Sequence, residues 1–195
     1  MAILKIARMG HPVLRLRADE VVDPTAKEIR MLLRDMGETL LDSFGAGLAA
    51  PQVHISKRVM IFEAPRERTD DEDAPENAFA PMTELINPAW EPLSDETDIG
   101  WEGCLSVPGL TGAVARHTSI HYWGITPKGE KVDRKAVGFH ARVFQHEFDH
   151  LEGILYPMRM HDLSLLVFSE EVRRLGLPVI NELPKENEKD QNQPT

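Results

Sequence analysis

The sequence is short of cysteine, of positive charge and of long apolar runs, and each shortage removes a class of protein. Its 195 residues include one cysteine, Cys104. A single thiol cannot close an internal disulfide, so nothing ties the chain to an oxidising compartment. Lys and Arg number 22 against 32 Asp and Glu, a formal net charge of -10. General nucleic-acid binding needs a basic face, and this balance argues against one. No stretch approaches the roughly 20 apolar residues that span a bilayer. The opening residues, Met1-Ala2-Ile3-Leu4-Lys5-Ile6, carry no signal-peptide pattern. No internal repeat is found. These absences predict a cytoplasmic protein with no membrane partner, and a 42% hydrophobic content over this length predicts one domain with a sizeable core plus a tail.

What is present centres on residues 138–156, G-F-H-A-R-V-F-Q-H-E-F-D-H-L-E-G-I-L-Y. No proline interrupts the stretch before Pro157, and helical spacing sorts it into three lines. Phe139, Val143, His146 and His150 form one. Ala141, Phe144, Phe148 and Leu151 form an apolar second, and Arg142, Gln145, Asp149 and Glu152 a polar third. A helix with a single polar stripe is expected inside a domain. His146-Glu147-Phe148-Asp149-His150 is an H-E-x-x-H motif. One helical turn stacks the two imidazoles on one side, where both can hold one metal ion. The glutamate then lies beside the open coordination position and can act as a base toward water.

Two histidines leave such a site one protein ligand short. A third histidine after the glycine of H-E-x-x-H-x-x-G-x-x-H is excluded, because Tyr156 stands there. Glu170, twenty residues beyond His150, keeps the spacing of one class of zinc peptidase. Cys104, from upstream, is the other candidate.

Along the rest of the chain, residues 1–24 read as irregular or extended. Residues 25–44 read as a helix, with Thr25 as N-cap, Glu28 completing a capping box, and Ile29, Leu32, Leu33, Met36, Leu40 and Leu41 as its core stripe. Gly45 ends it. Strands are expected over 58–63, 82–86, 109–115 and 118–125, the second ended by Asn87-Pro88, and residues 131–137 lead into the central helix. Residues 65–76 form an acidic, solvated loop, and 163–175 a further helix. The polar stretch from 182 onward is expected to be disordered.

Three segments in order, Gly45-Ala46-Gly47-Leu48-Ala49-Ala50-Pro51-Gln52, Glu102-Gly103-Cys104-Leu105-Ser106 and Gln145-His146-Glu147-Phe148-Asp149-His150, resemble the three motifs of peptide deformylase, and the likeness covers about residues 3–160. The resemblance implies an α+β fold, small antiparallel sheets around the buried central helix, with a catalytic domain over 1–160 and a C-terminal extension over 161–195. It implies removal of the formyl group from the N-terminal methionine of nascent polypeptides, with release of formate. It implies that Cys104, His146 and His150 bind one ion per chain, iron(II) by preference, with zinc, nickel or cobalt able to substitute. Glu147 is then general base and acid, and the Gln52 amide and the Leu105 backbone N–H stabilise the formyl oxygen. The peptide lies extended against Gly45, Ala46 and Gly47. From their place on the ligand face, Phe139 and Val143 are expected to line the methionine pocket, with Ala46, Gly100 and Glu102 nearby. Arg142 is assigned to the polar face, paired with Glu102, Asp149 or solvent. Some family members are thought to meet the ribosome through a basic C-terminal helix. Residues 161–195 here hold four Arg or Lys against seven Asp or Glu, which does not favour that docking mode.

Overall fold

The computed structural model describes residues 2–68 and 73–176. In chain order they form helix α1 (Lys27–Ser43), strands β1 (Gly47–Ala49), β2 (Val59–Ala64), β3 (Ala80–Pro92), β4 (Thr97–Cys104), β5 (Val107–His117), β6 (Ser119–Ile125) and β7 (Lys131–Val137), helix α2 (Gly138–Leu151), strand β8 (Val167–Phe168) and helix α3 (Ser169–Leu175). The strands make two antiparallel sheets, one ordered β1-β2-β3-β6-β7 and one β4-β5-β8. This is an α+β architecture, as expected.

Strand alternation explains where the helices sit. Met60 and Phe62 of β2 pack with Ala141, Val143 and Phe144 of α2. Val59 and Ile61, pointing the other way, pack with Leu33, Met36 and Leu40 of α1. The β1–β2 end of the large sheet is therefore sandwiched between α1 and α2, and α2 is enclosed between the two sheets. Three aromatic rings fasten it: Phe144 lies stacked on Tyr122 at 4.4 Å and edge-on to Phe62 at 5.8 Å.

Several sequence expectations need correction. The N-cap of α1 is Ala26, without a side-chain cap; Thr25 instead bonds to Asp23. Leu41 is exposed and leaves the stripe. The strand expected to stop at Asn87-Pro88 continues to Pro92, because Asn87 takes a left-handed conformation (φ 50°) at a bulge and its side chain bonds the backbone of Val21 both ways. β4 was not anticipated. The central helix ends at Leu151, and a 3₁₀ turn, Tyr156–Arg159, follows. Its polar line does not face solvent. Gln145 and Asp149 are buried, and Gln145 bonds the backbone of His117 through both ends of its amide. Within 163–175 only α3 is α-helical, preceded by a 3₁₀ turn and β8. Part of the acidic loop (69–72) and the tail expected from 182 onward lie outside the described residues. Among the described residues no helix is long and apolar enough to cross a membrane.

Candidate metal centre

Two elements deliver the candidate ligands, and a third brings Gln52 beside them. Cys104 ends β4 where the pairing with β5 shifts register, just before a two-residue turn, Leu105 and Ser106. His146 and His150 come from α2, their rings 5.0 Å apart. Gln52 lies in the 3₁₀ turn Ala50–Val53 that follows β1. The N-terminal segment ties these pieces together: Ala7 N–H donates to the Gln52 carbonyl and Met9 N–H to that of Ser106, both at 2.7 Å.

One ligand atom each from Cys104, His146 and His150 falls within 4.8 Å of the others, the one such group of three among the described residues. Cys104 Sγ is 3.3 Å from His150 Nε2. Glu170, the other spacing candidate, is exposed at the start of α3 and is no part of the group. The donor set suits a divalent transition metal, since thiolate and imidazole together serve several of them. An observation independent of the ligands agrees. Among the described residues Glu147 Oε2 and His150 Nδ1, both buried at this site, have no hydrogen-bond partner. An unpaired buried carboxylate oxygen is costly and calls for a partner that the protein itself does not provide.

Behind the ligands stands a buried ion-pair chain. His146 Nδ1 donates to Glu102 Oε2 at 2.8 Å, which leaves Nε2 to face the site. Arg116 grips Glu102 with two bonds of 2.9 Å and donates to Asp149 at 2.5 Å; Arg159 holds Asp149 from outside. Burial alone would raise the Glu102 carboxyl, but His146 and Arg116 outweigh it and hold it well below the carboxylate range. Burial alone would lower His146, but Cys104 and Glu102 raise it well above its ordinary value, whereas burial and the neighbouring His146 depress His150. Glu147 has no such cationic grip. Burial pushes it up to about 7.

A cavity of about 470 Å³ opens on the cluster. It is lined by Gly45, Ala46, Gly47, Gln52, Glu102, Cys104, Leu105, Phe139, Val143, His146 and Glu147 among others. Gly47 admits Glu147: a Cβ there would come within 2.5 Å of the carboxylate. Gly100 does not line the cavity. It makes room for the Arg142 guanidinium, which would be 2.6 Å from a Cβ at that position. Arg142 does line it, bonded to Glu102 at 3.0 Å and to the carbonyls of Val114 and Asp98. Gln52 Oε1 accepts from Ala49 N–H, leaving its Nε2 pointed at Cys104 Sγ (3.5 Å) and Ser106 Oγ (3.3 Å). Sequence reasoning missed Arg116, Arg159 and Ser106. Only an arginine at an inward position of an otherwise apolar strand hinted at Arg116.

Residues 3–165 match the family described as polypeptide deformylase. Peptide deformylase 1 of Bordetella pertussis is 48% identical over 165 residues, 85% of this chain and 92% of that protein. Among solved structures, the class I type b peptide deformylase of Acinetobacter baumannii bound to Met-Ala-Ser is 38% identical with a TM-score of 0.73, over 82% of this chain and 99% of that one. The Ehrlichia chaffeensis peptide deformylase in complex with actinonin is 33% identical with a TM-score of 0.75, over 84% and 92%.

Proposed function

Because this chain belongs to the polypeptide deformylase family, we propose how its own residues divide the work of that reaction. It is a metal-dependent hydrolase that removes the formyl group from the N-terminus of nascent polypeptides. Cys104, His146 and His150 are assigned as the metal ligands and Glu147 as the proton carrier. The observation that carries this assignment is Glu147 itself, buried beside the three donors, with one oxygen unpaired and its carboxyl near neutrality.

An ion held by Cys104, His146 and His150, assigned as iron(II) with zinc, nickel or cobalt as substitutes, would supply Lewis acidity toward water and the formyl oxygen. Glu147 accepts a proton as the water oxygen bonds to the formyl carbon. The Gln52 amide and the Leu105 N–H donate to the formyl oxygen as it gains negative charge. Glu147 then returns its proton to the methionine nitrogen as the carbon–nitrogen bond breaks and formate leaves. Burial raises this carboxyl in the ion-free fold, which favours its holding the water proton until the amine leaves. Glu102, held ionised by Arg116, fixes His146 in the tautomer that offers Nε2.

The peptide lies extended along segment 45–47, on the free edge of β1, which among the described residues pairs only with β2. Phe139, Val143 and Ala46 enclose the methionine side chain, and the aliphatic stem of Arg142 closes the wall. Backbone pairing tolerates any sequence, which fits an enzyme that meets many chains. We assign catalysis to residues 1–160 and the remainder to an extension, whose β8 pairs with β5 and whose Ser169 reaches the cavity rim. We place the enzyme in the cytoplasm, meeting chains transiently at the ribosome by a route other than a basic tail.

The test is formate release from a formyl-methionyl peptide by protein loaded with iron in the absence of oxygen. Glu147→Gln should lower kcat by about 10²–10⁴-fold while the ion remains bound, and an N-acetyl peptide should not react. A Glu147→Gln enzyme as fast as the wild type would overturn the assignment.

A further inference from the structure

Beside the catalytic cavity lies a second one of about 360 Å³, and the two share Phe44, Gly45, Ala46 and Arg68 as a common wall. Leu40, Leu41, Pro65 and Met82 complete much of the second lining. Leu41, Phe44 and Met82 are 72%, 91% and 40% exposed, so three large apolar side chains are gathered in water around one opening. Such grouping marks a binding surface more often than scattered exposure does.

The backbone adds an independent observation. Phe44 is the C-cap of α1 and takes a left-handed conformation, φ 55° and ψ 29°. Glycine or asparagine ordinarily fills that position, and a bulky side chain there is rare. The chain accepts this strain and gains only an aromatic ring held outside the core. Strain kept at the edge of a ligand groove points to use by the ligand.

The direction of the substrate strand leads to the same place. Gly47 stands against Glu147, where the formylated end must lie. An antiparallel partner of segment 45–47 therefore runs from Gly47 toward Gly45 and Phe44, advancing about 3.4 Å per residue. Side chains alternate between faces. The first residue points to the α2 side, among Phe139 and Val143. Even-numbered residues point to the α1 side, where Leu40 and Leu41 line the second cavity. Extended pairing ends at Gly45, because the chain turns at the left-handed Phe44, and the fourth residue of the peptide therefore leaves the paired segment beside the Phe44 ring.

We propose that the second cavity is a subsite for the nascent chain that takes an apolar side chain at its fourth residue, with the ring of Phe44 as its movable wall. The proposal rests on the peptide lying along segment 45–47 as described above.

Two peptides test it, formyl-Met-Ala-Ala-Leu and formyl-Met-Ala-Ala-Ser, compared by kcat/KM on the metal-loaded enzyme, and their deformylated forms compared by calorimetric binding. The leucine peptide should be preferred by about three- to tenfold in both measurements, as partial burial of one apolar side chain allows. Phe44→Asn, which suits the left-handed backbone, and Leu41→Ser should each bring the ratio close to one. Ratios within one protein cancel any effect on the metal site, and Tm should hold or rise in Phe44→Asn. A wild-type ratio of one, or a ratio unchanged in both variants, overturns the subsite. If wild-type enzyme releases no formate yet still binds the leucine peptide preferentially, the reaction scheme falls and the subsite stands.

Discussion

Two clusters in this molecule are built alike and placed differently. In each, one basic side chain bridges two carboxylates. Arg116 joins Glu102 to Asp149, and all three are buried. His121 joins Glu91 at 3.1 Å to Asp133 at 2.9 Å across β3, β6 and β7, and both carboxylates are exposed. The bond lengths hardly distinguish them. Surroundings do: the buried bridge fixes the Glu102 carboxylate that holds His146 Nδ1, whereas the surface bridge competes with water and salt. A bridging geometry therefore does not by itself measure importance.

The sharpest way to break the comparison is to remove the bridging cation from each cluster. Arg116→Met leaves two buried carboxylates without their shared partner, although Arg142 and Arg159 still reach one each. Loss of one member of a buried ion pair costs about 3–5 kcal/mol. Denaturant unfolding should show a loss of that size, and the variant should bind its metal more weakly, since Glu102 no longer holds His146 firmly. His121→Gln should show no comparable loss. Equal effects at the two sites would mean that burial is not what separates them.

A third buried carboxylate sharpens the contrast, because Glu147 lies near the first cluster but has no cation gripping it. Its carboxyl is raised by burial from 4.5 to about 7, so between those values the folded metal-free protein binds a proton that the unfolded chain does not. Stability from this group is fully present below 4.5 and is lost as pH rises through 7. That interval, at roughly 1.4 kcal/mol per pH unit, amounts to roughly 3 kcal/mol. Unfolding of metal-free protein across pH 4.5–8 should therefore show a downward contribution that vanishes in Glu147→Gln. Metal-free wild type and variant with parallel pH profiles would contradict it.

The two clusters also mark how far the sequence can be read. The H-E-x-x-H spacing needs only one helix, so His146, Glu147 and His150 were legible from local periodicity. Cys104 and Gln52 stand 42 and 94 residues upstream of His146 in the chain. Spacing could not choose between Cys104 and Glu170, and the likeness to a family did. β2, a short continuous apolar run, and β5 and β6, which alternate, stand close to where the sequence places them. β4 was not anticipated, because Gly100 and Gly103 interrupt its pattern, Gly100 making room for the Arg142 guanidinium. Spacing groups the polar line of α2 but leaves its partners open. A second sheet covers it, and the partners that make this tolerable, Arg116 and the His117 backbone, belong to a strand 28 to 33 residues away. Periodicity reports which residues share a face but not what that face meets.

The smallest expected effect belongs to the surface bridge, and its sign is opposite to that of an exposed carboxylate pair. Bonds from Asp133 and Glu91 raise the His121 imidazole above its ordinary 6.5. A histidine whose folded value is raised contributes stability that is fully present below 6.5 and is lost as pH climbs through the folded value. The imidazole proton resonances should titrate above 6.5 in dilute buffer, and roughly 1 M salt, with a screening length of about 3 Å, should draw the midpoint back toward 6.5. The His146–Glu102 contact, enclosed by protein, should not respond to salt in this way. If salt moved neither group, the surface bridge would be as well shielded as the buried one, and the distinction between the two clusters would have to rest on their covalent neighbours alone.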